Sequence, residues 1–146
     1  MAFSINIRSD NDSANAIRSL WRQCSALEKT PSMEALNYPP HITLAVFDEI
    51  DSRPLYAAFD AVFASVAPIS LRFEHLDHFV TPNAVVLWAA PSSSQQLKLV
   101  HHHLHSLLTA EQCRSTYLPG TWVPHCTLAS TIASNRKVEA LSLIHI

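Results

Sequence analysis

The sequence predicts an α+β fold made of two similar halves. The string Pro-His-x-Thr-Leu-Ala occurs twice, beginning at Pro40 and again at Pro124. In both halves, segments with strand-like alternation of apolar and polar residues are followed by segments with helical spacing of apolar residues. A shift of 84 residues lays these segments over one another. Together these observations predict a duplicated β-α-β-α-β unit with antiparallel sheets around a central groove.

The first half contains five predicted elements, in the order strand, helix, strand, helix, strand. The strands are recognised by alternation of apolar residues, and the helices by apolar stripes that follow N-cap candidates in SDNDS and at Asp51. In chain order these elements are FSINIR (3–8), a helix over about 17–27, HITLAVF (41–47), a helix from Asp51 to about Val66, and ISLRF (69–73).

The second half contains four predicted elements and no counterpart of ISLRF. They are AVVLWAA (84–90), a helix capped by the serines at 92–94 with an apolar stripe from Leu97 to Leu108, the second Pro-His strand, and a helix near Asn135. The sequence therefore predicts one bilobal domain over 1–146. Copy one spans about 1–83, and copy two spans about 84–146 and is truncated.

The expected absence of the last strand has consequences for packing. A sheet without its closing strand has an open edge and apolar surface beneath it. We therefore expect four apolar residues near the end of the chain to be less buried than is usual for their type. They are Leu141, Leu143, Ile144 and Ile146. We expect a monomer that tends to self-associate if this strand is missing.

The composition excludes several classes of function. Gly120 is the only glycine, which excludes a Rossmann fingerprint and a P-loop. Ten basic residues stand against twelve acidic ones without a basic tract, which argues against binding to a DNA duplex. The apolar runs are too short to span a membrane. Three scattered cysteines predict reduced thiols and a cytoplasmic protein.

Each Pro-His motif places a histidine and a threonine on one face of a strand. Side chains alternate faces along a strand, so His41 and Thr43 share one face, and His125 and Thr127 do the same in the second copy. The apolar residues beside them face the core. If the two copies pack about a pseudo-twofold axis, these four side chains converge on one groove.

Two histidines and two threonines suit the opening of a phosphodiester. A neutral histidine can take a proton from water, and a protonated one can give a proton to the leaving oxygen. Threonine hydroxyls can donate hydrogen bonds to phosphate oxygens as charge builds on them. This chemistry requires no metal ion and no other cofactor. The sequence does not decide which histidine is the acid.

His41-Ile42-Thr43-Leu44 and His125-Cys126-Thr127-Leu128 resemble the paired His-x-Thr motifs of the two-histidine (2H) phosphoesterase superfamily. The similarity is to its 2′-5′ RNA ligase-like and cyclic phosphodiesterase branches. FEHLDHFVTPNAVVLW (73–88) also resembles a family segment, with Phe79 in the place of a phenylalanine between two strands. The resemblance implies metal-independent cleavage of a 2′,3′-cyclic phosphate at a nucleotide or RNA end, with reversible ligation in some members. A non-catalytic module that binds such ends on the same fold is the alternative.

Three further residues are candidates for substrate binding. Tyr38 and Trp122 precede the two motifs at matching positions and could stack on a base, although packing in the core explains them equally well. Arg8 could contact phosphate, with a solvated surface position as the alternative.

The string HHHLH (101–105) raises the question of a metal site. His101 and His105 are four residues apart and share a face of the predicted helix. No acidic residue or cysteine nearby has ligand spacing, so a solvated helix flank is the favoured interpretation.

Overall fold

The computed structural model describes residues 2–144 and confirms the α+β class. Short 3₁₀ turns at Ala110–Gln112, Ser115–Tyr117 and Ser134–Arg136 join some of the longer elements. The helices and strands, in chain order, are β1 (Phe3–Arg8), α1 (Ala14–Ser25), α2 (Ser32–Ala35), β2 (His41–Phe47), α3 (Ser52–Phe63), β3 (Phe73–Val80), β4 (Val85–Pro91), α4 (Gln95–Ser106), β5 (Cys126–Ile132) and α5 (Lys137–Ile144).

The strands form two small sheets. Strands β1 and β2 make a two-stranded sheet, and β3, β4 and β5 make a three-stranded antiparallel sheet with β4 in the centre. In the second sheet, Trp88 of β4 lies opposite Asp77 of β3 on one side and Thr127 of β5 on the other. Because directly paired residues share a face of a sheet, Thr127 and Trp88 point the same way.

The chain folds into two compact units. The first unit contains residues up to Asn6 together with Thr43–Arg72 and Ser92–Pro124. The second unit contains Ile7–Ile42, Phe73–Pro91 and the residues from His125 onward. Each unit therefore draws segments from both sequence copies, and the boundary passes through β1 and β2.

Two isolated bridges occupy similar places in the two units. In the second unit, Glu28, just after α1, makes an isolated bridge to Ile132 at the end of β5. In the first unit, Cys113, beyond α4, makes the same kind of bridge to Phe47 at the end of β2. In each case the segment after a helix of one copy pairs with the Pro-His strand of the other copy.

A buried cluster of β4, β5 and α1 residues forms the core of the second unit. It includes Trp21 and Cys24 from α1, Leu87 from β4, and Leu128 and Ile132 from β5. Trp21 and Cys24 belong to the apolar stripe predicted for the first helix, and Leu128 to the apolar face predicted for the second Pro-His strand. The core therefore lies directly beneath the strand that carries the second motif.

The predicted strand ISLRF (69–73) is wrong. Residues 65–72 contain no strand, and β3 begins only at Phe73. The reason is the length of the partner: β4 ends at Pro91, which pairs with Phe73, so the residues before Phe73 have no strand beside them. Alternation of apolar residues alone does not make a strand where no ladder is available.

The helices differ from the prediction mainly at their ends. Asp51 caps α3 and Ser94 caps α4 by accepting hydrogen bonds from backbone N–H groups, as expected. However, α4 ends at Ser106, so the prediction is wrong for Leu107, which was placed in the apolar stripe but lies beyond the helix and is 46% exposed. Within residues 2–144, no helix is long and apolar enough to cross a membrane.

Helix α5 stands where the 84-residue shift predicts a helix near Asn135. Leu141 and Leu143 on this helix are half-buried. The side chains of Ile144 and Ile146, for which low burial was also expected, lie outside the described residues.

Candidate active site

The first motif lies at the start of β2 and alternates in burial as predicted. His41 and Thr43 are half-buried, whereas Ile42 and Leu44 are fully buried. Pro40 precedes the strand and its carbonyl accepts a hydrogen bond from the backbone N–H of the residue after β1, at 2.8 Å. The strand thus anchors itself through its apolar face and presents the imidazole and the hydroxyl on the other.

The imidazole of His41 is oriented by two neighbours. Its Nδ1 lies 2.9 Å from the carbonyl oxygen of Pro39, and the ring of Tyr38 approaches edge-on with a centroid separation of 5.1 Å. Because a carbonyl can only accept, Nδ1 carries the proton of the neutral ring. Nε2 is then the nitrogen that can accept a proton from another molecule.

Thr43 is held through both its side chain and its backbone. Its Oγ1 donates a hydrogen bond to Oδ1 of Asn6 on β1, at 2.8 Å. Its carbonyl oxygen accepts a hydrogen bond from Nε1 of Trp122, at 3.0 Å. Asn6 was not predicted from the sequence, because its partner is fixed only by the pairing of β1 with β2.

The imidazole of His125 packs in an aromatic corner. Phe79 meets it edge-on at a centroid separation of 5.1 Å, and Trp88 lies 5.7 Å away. Phe79 and Trp88 stack on each other at 4.8 Å. The sequence resemblance singled out Phe79 as a residue between two strands, whereas the structure has it within β3. Trp88, by contrast, was predicted only as a strand residue.

Thr127 follows on β5 and is half-buried. Its carbonyl oxygen accepts a hydrogen bond from Nε1 of Trp21 on α1, at 3.0 Å. The two motif threonines are therefore held in the same way, since the carbonyl of Thr43 also takes an indole N–H. The two tryptophans are not related by the 84-residue shift, so this similarity could not be read from the repeat.

The second unit brings His41, His125 and Thr127 together in one compact body, whereas Thr43 belongs to the first unit. Burial raises the pKa of the Cys126 thiol to about 11, and a hydrogen bond with the backbone of His41 opposes that rise.

A family model of the 2′-5′ RNA ligase superfamily matches residues 10–144 and so includes both motifs. The chain belongs to the 2′-5′ RNA ligase superfamily. This is the 2H phosphoesterase superfamily that the paired motifs resemble. A comparison with curated proteins gave no match.

In this member of the 2′-5′ RNA ligase superfamily, a buried carboxylate fixes the strand of the second motif. The carboxylate of Glu28 accepts hydrogen bonds from the backbone N–H groups of Ser130 and Thr131, both at 2.9 Å. It also accepts from the Thr131 hydroxyl and from Ser32. Burial acts to raise the pKa of Glu28, but hydrogen bonds from Ser32 and Thr131 outweigh it and lower the pKa.

The interpretation of HHHLH as a solvated helix flank is wrong for His101. His101 is only 4% exposed, its Nε2 lies 2.8 Å from the carbonyl oxygen of Tyr117, and its ring stacks on Trp122 at 3.8 Å. The Nε2 of His105 lies 3.0 Å from the carbonyl oxygen of Leu44 on β2. These histidines therefore connect α4 to the first-motif strand and to the tryptophan that holds it.

The buried imidazole of His101 predicts a loss of stability in acid. Burial lowers its pKa from 6.5 to about 4, with the charges of His105 and His102 adding to the effect against the hydrogen bond to Tyr117. The unfolded chain therefore binds this proton first as the pH falls. The stabilisation of the folded protein by the neutral, buried His101 is therefore complete above about pH 6.5 and is lost towards pH 4. The loss in the free energy of unfolding is roughly 2–3 kcal/mol.

Urea unfolding followed by tryptophan fluorescence at several pH values between 7 and 4 checks this expectation. His101→Gln should unfold more easily at pH 7 and should lose less stability on acidification than the parent. His103→Gln, an exposed position on the same helix, is the matched control and should follow the parent curve. Parallel curves for the parent and His101→Gln would contradict the assignment.

The three candidate substrate-binding residues have different surroundings. One face of the Trp122 ring is covered by His101, which agrees with the alternative of packing in the core. Tyr38 is 38% exposed beside His41. Arg8 is exposed at the end of β1, next to Ser9, whose backbone N–H donates to the carbonyl of Pro40.

Proposed function

We propose that this chain is a metal-independent phosphodiesterase that opens 2′,3′-cyclic phosphates, or related phosphodiesters, at nucleotide or RNA ends. His41 and His125 act as acid and base, and Thr43 and Thr127 bind the phosphate oxygens. The observation that carries the proposal is the presence of two intact His-x-Thr motifs, one at the start of β2 and one where β5 begins, in a 2H superfamily member.

The presence of both motif histidines in the second unit supports a shared site for them. The Nδ1 contact of His41 with Pro39 also supports it, because it leaves Nε2 for proton transfer. The rings of Phe79 and Trp88 pack against His125 and limit the movement of its ring. A histidine that transfers protons in a fixed direction benefits from such restriction.

In the proposed reaction one neutral histidine takes a proton from water, and the water oxygen attacks phosphorus. The bond from phosphorus to the ribose O2′ or O3′ breaks, and the second, protonated histidine gives its proton to that oxygen. The product is a nucleoside 2′- or 3′-phosphate. Ligation would use the same two histidines with a hydroxyl of a second RNA end in place of water. That hydroxyl gives its proton to the neutral histidine and attacks the phosphorus of the cyclic phosphate, while the leaving ribose O2′ or O3′ takes a proton from the protonated histidine.

Asn6 sets the direction of the Thr43 hydroxyl in this proposal. In the free protein the Thr43 proton is donated to Asn6 Oδ1. A half-turn of the Asn6 amide would present its NH₂ group to the same hydroxyl oxygen. The Thr43 proton would then be free to donate to a phosphate oxygen, where charge builds in the transition state.

The test is incubation of the purified protein with 2′,3′-cyclic nucleotides, with and without EDTA, followed by separation of the products. We expect hydrolysis to a monophosphate that is unchanged by EDTA and bell-shaped in pH, because one histidine must be neutral and the other protonated. Loss of activity on chelation would contradict the metal-independent mechanism. Binding of the nucleotide without turnover would favour the non-catalytic module instead.

A further inference from the structure

We propose that a cavity beside the second unit's motif residues binds the nucleotide adjoining the scissile phosphate, so that the preferred substrate is an RNA end of at least two nucleotides. The inference rests on the proposed function and extends it to the substrate class. The cavity has a volume of about 420 Å³, which is within the usual range for small-molecule sites. Arg18 and Arg22 of α1, Trp21 between them, and Tyr38 are among its walls.

The two arginines provide positive charge without a carboxylate partner. Within residues 2–144, neither Arg18 nor Arg22 forms an ion pair or a side-chain hydrogen bond, whereas Arg53, Arg114 and Arg136 each pair with an acidic residue. Positions four apart on a helix lie on one face, so the two guanidinium groups serve the same cavity. Guanidinium groups bind phosphate in a bidentate manner, which makes a phosphate group the ligand of choice.

The cavity walls touch both motifs inside the second unit. Tyr38 contacts the ring of His41 at 5.1 Å, and Trp21 donates its indole N–H to the carbonyl of Thr127. Two of the cavity walls are therefore in direct contact with the ring of one motif histidine and with the backbone of one motif threonine. The exposed ring of Tyr38 offers a face on which a base can stack.

The cavity is also lined by one acidic residue, and its removal is expected to have the opposite effect on binding from the removal of an arginine. Glu34 of α2 lines it, and Glu34 forms no ion pair with either arginine in the described part of the chain. Its carboxylate repels a bound phosphate. Removing this charge should therefore strengthen binding, whereas removing an arginine should weaken it.

The experiment compares 2′,3′-cyclic CMP with the dinucleotide CpC that ends in a 2′,3′-cyclic phosphate. Arg18→Gln and Arg22→Gln should each lower kcat/KM for the dinucleotide about tenfold and leave that for cyclic CMP unchanged. The dependence of log kcat/KM on log salt should become shallower by about 0.7 for each phosphate that an arginine no longer neutralises. Glu34→Gln should raise kcat/KM for the dinucleotide alone.

Arg53→Gln is the matched control, because Arg53 lies on another helix, its side chain is 90% exposed and it pairs with Asp51. It should behave like the parent on both substrates, and thermal melts should show that all four variants are folded. Equal kcat/KM values for the two substrates, or insensitivity of the dinucleotide to both arginine changes, would overturn the inference.

A binding measurement separates failure of this inference from failure of the proposed function. If neither substrate is turned over, the affinities of CpC 3′-phosphate and of 3′-CMP are measured by calorimetry. Tighter binding of CpC 3′-phosphate that depends on Arg18 and Arg22 would retain the cavity and reject the catalytic proposal. Equal affinities of the two ligands would reject the cavity.

Discussion

Replacing His41 or His125 by alanine is expected to lower kcat on a 2′,3′-cyclic nucleotide by about 10²- to 10⁴-fold. Each substitution removes one of the two proton-transfer groups, so the reaction must use water in its place. KM should change much less, because phosphate binding depends on other donors. Steady-state kinetics of both variants on one cyclic nucleotide provide the measurement.

The two threonine variants are expected to lose less activity than the two histidine variants. Thr43→Ala and Thr127→Ala each remove one hydrogen bond to developing charge, so we expect a loss on the order of 10- to 100-fold. His103→Ala, at an exposed position of α4, is the control and should retain full activity. Full activity of His41→Ala, or losses in the threonine variants that exceed those in both histidine variants, would refute the assigned roles.

The motif residues could be found from the sequence because strand alternation is a local property. His41 and Thr43 follow a proline on a strand whose other face is apolar, and the structure has Ile42 and Leu44 buried there. The N-cap at Asp51 was likewise predictable, since a cap depends only on residues within one turn.

The exchange of contacts between the two copies could not be predicted. Trp21 from the first copy donates to Thr127 in the second, and His105 from the second copy contacts the carbonyl of Leu44 in the first. Trp21 and His105 are 84 residues apart, so they occupy equivalent positions in the repeat. The periodicity does not indicate, however, to which distant carbonyl each side chain will form a hydrogen bond. That choice is made by long-range packing of helices on strands.

The burial of His101 escaped prediction for a similar reason. A histidine on a helix between apolar residues fits a solvated flank until a carbonyl and an aromatic face are brought to it. Tyr117 and Trp122, sixteen and more residues away, supply both partners. Satisfied hydrogen bonds are what allow a polar side chain to be buried, and they are invisible in a local pattern.

Glu28→Ala is expected to cause the largest loss of stability, about 3 kcal/mol or more. Glu28 is 8% exposed, and its carboxylate accepts hydrogen bonds from the backbone of Ser130 and Thr131. Removing it takes the acceptor from the backbone N–H of Thr131 and leaves the N–H of Ser130 with only the Ser32 hydroxyl. A polar group that loses its partner in this way costs more than the bond itself contributes. Chemical denaturation of the parent and the variant at pH 7 measures the difference in the free energy of unfolding.

The Glu28 carboxylate should also make the free energy of unfolding depend on pH. Its pKa is lowered in the folded protein, so its contribution is present above the unfolded value of 4.5 and is lost as the pH falls through the folded pKa. The parent should therefore lose stability in this acid range, and Glu28→Ala should lose less. Glu111→Ala, at an exposed position, should stay within about 0.5 kcal/mol of the parent throughout. Ser130 and Thr131 follow Thr127 on the same strand, so Glu28→Ala should also lower kcat under conditions where the variant remains folded. If Glu28→Ala proved as stable and as active as Glu111→Ala, β5 would not depend on this carboxylate.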